Sequence, residues 1–91
     1  MSNKDNKEQI SRVAVNIFDQ EYVLKGPEPP QYLENLAKLV DRKMKEVQHK
    51  NPSLSQFKVA VITALHLADE IAKIKAEYET LIQLIEEEKK V

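Results

Sequence analysis

Apolar positions along the chain change their period twice, and each change marks an element. Over "RVAVNIFDQEYVL", residues 12–24, Val13, Val15 and Ile17 alternate with Arg12, Ala14 and Asn16, the period of a strand with one buried face. A two-residue turn at Asp19-Gln20 would set Ile17 opposite Tyr22 and Val15 opposite Leu24. That register gathers the large apolar side chains on one face, Phe18 and Val23 excepted, and predicts a β-hairpin. Register consistency carries the expectation, because a tight turn of this kind wants positive φ at both centres and Asp-Gln meets that only in part. Lys25, Gly26 and Pro27 end the ribbon, and "PEPP" is a stiff connector to the next element.

From Pro30 the period lengthens. A proline loses nothing at the first turn of a helix. Leu33, Leu36, Ala37, Val40, Met44 and Val47 recur at steps of three and four, with Glu34, Lys38, Asp41, Lys45 and Glu46 mostly opposite. An amphipathic helix is predicted to run to Asn51-Pro52, where Asn accepts a left-handed terminal position and the residue before proline is pushed out of the α region. Ser53, with Gln56 three residues on, has the pattern of a capping box and predicts a second helix over 54–90. At 1.5 Å per residue such a helix is roughly 55 Å long.

The stretch "VAVITALHLADEIAKI", residues 59–74, is apolar on almost every side of that helix, and such a helix must be surrounded. Further along, Ala64, Leu67, Ile71, Ile74, Tyr78, Leu81 and Ile85 alternate steps of three and four, the spacing of a coiled-coil seam. Glu70, Lys75, Glu77 and Lys89 flank it, while Ile82 and Leu84 widen it. With 91 residues in all, the chain has too little of itself to cover this surface. A second copy is expected to do so, through an obligate interface of roughly a few thousand Å². The organisation expected is α+β: a lead over 1–9, a dimerisation head of hairpin plus helix over 10–68, and a coiled-coil tail over 69–91.

Composition narrows the chemistry. Fourteen Lys and Arg against fifteen Asp and Glu give a net charge of −1, so no uniform field draws the protein to nucleic acid or an anionic membrane. Cysteine is absent, which removes disulfides and thiolate chemistry and fits a reducing compartment. "MSNKDNKEQI" has no apolar core of a secretory signal, and no apolar run approaches the ~20 residues of a membrane span; a soluble cytoplasmic protein is expected. His49 and His66 fall on different helices with no cysteine to complete a zinc set, so no metal is expected. Asp69-Glu70 and Glu86-Glu87-Glu88 have the look of a solvated face, not of a cleft that shifts pKa. The single glycine, Gly26, leaves no phosphate-cradling loop. Neither a cofactor nor enzymatic activity is expected.

Three segments together resemble a known family: "VAVNIFDQEYVLKG", "YLENLAKLVDRKMKEVQHKNP" and "LSQFKVAVITALHLADEI" are similar to the opening hairpin, first helix and start of the long second helix of ZapA, bacterial cell-division proteins that bind the tubulin-like FtsZ. Ala64-Leu65 and Ala68-Asp69-Glu70 carry the most specific part of the likeness. Asp19 and His66 depart from it, standing where a turn glycine and an asparagine are common. The resemblance implies a homodimer of small heads, with tails pairing as an antiparallel coiled coil into a dimer of dimers. Such an assembly would crosslink FtsZ protofilaments at the division site and stabilise the Z-ring. By the same resemblance FtsZ contacts are expected at the hairpin tip, Asp19, Gln20 and Glu21, and at the start of the second helix, Lys58 and Ile62. Ala64, Leu67, Ile71, Ile74, Tyr78, Leu81 and Ile85 are assigned to oligomerisation.

Two other readings fit the pattern of elements. A strand followed by two helices in an obligate dimer also describes ribbon-helix-helix DNA-binding proteins, whose ribbon turns basic or amide side chains outward. Here the outward residues would be Arg12, Ala14, Asn16 and Phe18, of which one is basic. The third reading is a coiled-coil adaptor with some other partner.

Overall fold

The computed structural model describes residues 10–90; the expected lead over 1–9 lies outside them. Element order is β1 (Ser11–Ile17), β2 (Gln20–Gly26), α1 (Pro30–Lys50) and α2 (Gln56–Lys90). This is the α+β arrangement expected, and the chain divides into two compact units at the junction of Ser55 and Gln56.

In the first unit β1 and β2 pair antiparallel, with Val13 opposite Leu24, Val15 opposite Tyr22 and Ile17 opposite Gln20. The register therefore differs by two residues from the expected one, and the turn is Phe18-Asp19. Both residues have positive φ, 53° and 65°, which is the backbone of a type I′ turn. A shift of two, unlike a shift of one, leaves every strand side chain on its original face. Val15 is accordingly buried, and Val13, Ile17 and Leu24 are half-buried.

Phe18 is the residue that moves the turn. It does not stand outward on the ribbon: its side chain is only 7 % exposed, and its backbone N–H donates to Asp41 Oδ1 at 2.7 Å. A bulky residue at positive φ costs on the order of 1 kcal/mol or more. Burial of the ring and a charge-assisted hydrogen bond together exceed that cost.

Helix α1 packs on β1. It opens as expected, with Pro30 in the first turn and no side-chain cap; the amides of Tyr32 and Leu33 donate instead to the Pro29 carbonyl at 3.0 and 3.3 Å. Leu33, Ala37 and Val47 are buried and Val40 and Met44 half-buried. Leu36, expected on the apolar face, is exposed, while Asp41, expected on the polar face, is half-buried. The reason is the position of the hairpin: it draws the stripe toward Leu33, Ala37 and Asp41, which follow one another at steps of four. The helix ends at Lys50, and Asn51 donates its N–H to the carbonyls of Val47 and Gln48. Asn51 is not left-handed; φ is −137°, because Pro52 holds its predecessor in the extended region.

The second unit is α2, whose 35 residues span about 52 Å. It begins two residues later than Ser53 and its capping-box pattern require. Ser53 lies in a turn in which the Leu54 N–H donates to the Asn51 carbonyl at 3.1 Å, and Ser55 is the residue that directly precedes the helix. Early in α2 burial is uneven around the helix. Val59 is fully buried and Thr63 nearly so, with Ile62 and Leu67 half-buried. Thr63 returns its hydroxyl proton to the Val59 carbonyl at 2.7 Å, the usual way a buried helical threonine is satisfied. Phe57, Val61 and Leu65 are exposed.

Candidate interaction surfaces

Every residue assigned to an interaction by the sequence is solvent-accessible to some degree, and the surfaces fall into three groups. The first is the hairpin tip. Asp19 occupies the second turn position, Gln20 and Glu21 open β2, and all three are exposed. Two carboxylates and an amide are thus displayed side by side at a tight bend.

What fixes the tip is a residue that the sequence pattern puts on the solvent face. Asp41 of α1 accepts the Phe18 N–H through Oδ1 and faces the Lys45 ammonium through Oδ2 at 3.1 Å. The Phe18 hydrogen bond, then the hydrogen bond and charge of Lys45, hold the Asp41 carboxyl below its ordinary value of 3.8 against the opposing effect of partial burial. A carboxyl whose folded pKa is lowered contributes stability above its unfolded value, and loses it as pH falls through the folded one. The expected result is that the wild type loses thermal stability between pH 5 and pH 2 more steeply than Asp41→Asn, which cannot titrate; parallel curves from calorimetry would contradict this. The one signal of Asp41 in the sequence is its place four residues beyond Ala37, on the buried stripe.

The second group is the start of α2. Lys58 is exposed and Ile62 half-buried; lying four residues apart, they share one helical face. The third group is the seam further along α2. Ala64 is exposed and Leu67 half-buried. Ile71, Ile74 and Tyr78 are each about two-thirds exposed (67, 65 and 63 %), and Leu81 and Ile85 remain 54 and 43 % exposed. Large apolar side chains so open and so regularly spaced make a continuous stripe of a kind that soluble proteins use for association. An i,i+4 ion pair, Lys73 with Asp69 at 3.0 Å, lies beside it.

Among the described residues no three His, Cys, Asp or Glu side chains converge as metal ligands, and no buried polar side-chain atom is left without a partner. Shallow clefts beside β1, lined by Ala14, Asn16, Glu34 and Lys38 among others, and along Asp41, Arg42, Lys45 and His49 are surface grooves. Among the described residues no helix is long and apolar enough to cross a membrane.

Comparison with known proteins bears on these surfaces. Residues 13–90 match the family described as cell division protein ZapA. A curated cell division protein ZapA of Geobacillus sp. (strain WCH70) is 39 % identical over 83 residues, covering 91 % of this chain and 95 % of the relative. That of Geobacillus kaustophilus (strain HTA426) is 42 % identical over 79 residues, 87 % of each chain. Among solved structures, a ZapA mutant dimer from Geobacillus stearothermophilus superposes with a TM-score of 0.68 at 39 % identity, covering 85 % of this chain and 90 % of that one. The family match takes in nearly all of the hairpin and the whole of α1 and α2, so the chain belongs to the ZapA family of cell division proteins.

Proposed function

We propose that the protein is a non-enzymatic division factor that binds FtsZ and crosslinks its protofilaments, promoting assembly and stability of the Z-ring at the division site in the cytoplasm. Family membership supports the division role, and the solved dimer of a relative supports pairing of copies. The observation that carries the crosslinking part is the exposed apolar seam of α2 from Ile71 to Ile85. It calls for a second helix, and pairing of copies multiplies the number of filament contacts on one particle.

In this reading residues 10–68 form a dimerisation head and 69–91 a tail that joins dimers in antiparallel fashion. Each head offers Asp19, Gln20, Glu21, Lys58 and Ile62 to FtsZ. Engagement of one head makes the next intramolecular, so weak contacts become strong along paired polymers. No bond of a substrate is made or broken.

High-speed co-pelleting with GTP-assembled FtsZ tests the binding step. The protein is expected in the pellet with the filaments; a folded oligomer that stays in the supernatant would end the proposal. Lys58→Glu is expected to reduce pelleting several-fold without changing oligomer mass, and unchanged pelleting would remove Lys58 from the contact set. The DNA-binding reading has less support, because Phe18 turns into the protein and leaves Arg12 as the one basic outward residue of β1.

A further inference from the structure

We infer that Asp41, a helix residue outside the contact set, is the positioning residue that sets the hairpin tip for filament binding; the inference rests on the FtsZ reading above. The geometry has three parts. Phe18 and Asp19 both sit at positive φ, which Asp tolerates but a bulky aromatic residue disfavours, so at Phe18 the turn is not held by its own sequence. The Phe18 ring is buried, which fixes one side of the turn. Its N–H, the first backbone group of the turn, is held at 2.7 Å by Asp41 Oδ1 across 23 residues of chain.

Asp41 is in turn rooted in α1, with Lys45 one turn away at 3.1 Å on the other carboxylate oxygen. The hydrogen bond therefore ties a bend of unfavourable intrinsic conformation to a rigid helix. Asp19, Gln20 and Glu21, the three residues after Phe18, are exposed and inherit their orientation from that tie. A tip ordered in advance loses less conformational entropy when a partner docks. Removing the tie lets the turn relax toward other backbones and lowers affinity without removing any contacting side chain.

The test uses the full chain and GTP-assembled FtsZ filaments in a co-pelleting isotherm, at a temperature where circular dichroism shows every variant fully folded. Asp41→Ala is expected to weaken binding about tenfold, the order of one charge-assisted hydrogen bond, with oligomer mass unchanged. Asp41→Asn keeps an acceptor oxygen and is expected within about twofold of wild type, as is Lys45→Met, which leaves the Phe18 bond intact. Asp41→Ser, whose shorter side chain falls away from the Phe18 N–H, substitutes if the alanine variant does not fold.

Faster amide exchange at Phe18 in the alanine variant, restored in Asp41→Asn, is the accompanying structural readout. Wild-type binding by Asp41→Ala would overturn the inference. So would equal loss in Asp41→Asn and Asp41→Ala, since the carboxylate charge and not the tie would then be at work. Failure of the wild type itself to pellet defeats the filament reading and the inference with it, and the wild-type arm alone distinguishes that case.

Discussion

Phe18→Ala is expected to destabilise the protein by about 3 kcal/mol, and Phe18→Gly by less, reversing the usual order of those two substitutions. The loss comes from the ring, which is 7 % exposed at the turn; truncating a buried phenylalanine ordinarily costs about 3 to 5 kcal/mol. The reversal comes from the backbone. At φ of 53° alanine keeps the strain of a left-handed residue, on the order of 1 kcal/mol, and glycine does not. Against a total stability of about 5 to 15 kcal/mol for a typical domain, either change would be plain in urea denaturation. Equal midpoints for wild type and Phe18→Ala would mean that the ring contributes nothing, and a glycine variant weaker than the alanine variant would contradict the turn geometry.

Ile85→Lys is the second large effect. Ile85 lies near the end of the exposed seam, and in a pairing of identical helices the substitution occurs in both. Burial of one isoleucine is worth about 1.5 to 3 kcal/mol, and two lost together weaken tail pairing by about 10² to 10⁴-fold. In the proposed dimer of dimers, tetramers are expected to fall to dimers by sedimentation at low micromolar concentration, with helix content and the head's unfolding transition retained. A variant that remained tetrameric would place the seam on another face of α2.

These two substitutions also show how far the sequence can be read. Helix α2 is legible because its pattern is long: seven positions from Ala64 to Ile85 repeat at helical spacing without a break, and the helix runs through all of them. Helix α1 is legible for a similar reason, bounded by prolines at 30 and 52. Short-range features read less well. Register consistency among the large apolar residues puts the turn at Asp19-Gln20, and Phe is a poor residue for positive φ. The structure puts Phe18 there anyway because burial and the Asp41 hydrogen bond, both tertiary, outweigh local preference. Asp41 is hidden in the sequence since an aspartate among lysines and glutamates looks solvated, and only the hairpin above it makes it an acceptor. The cap at Ser53 fails differently: Pro52 and Ser53 are taken up in a turn that carries the chain from Asn51 to Leu54, so the helix waits for Ser55. Leu36 reads as core, yet the packing of α1 on β1 favours the stripe through Ala37. For the surfaces, the sequence supplies the residues and the structure supplies their exposure.

Low-speed pelleting of GTP-assembled FtsZ, which sediments bundles but not single protofilaments, tests the central claim most directly. Wild-type protein is expected to shift filaments into the low-speed pellet at substoichiometric to equimolar ratios. Filaments left in the supernatant by a protein that remains a folded oligomer would contradict the crosslinking account.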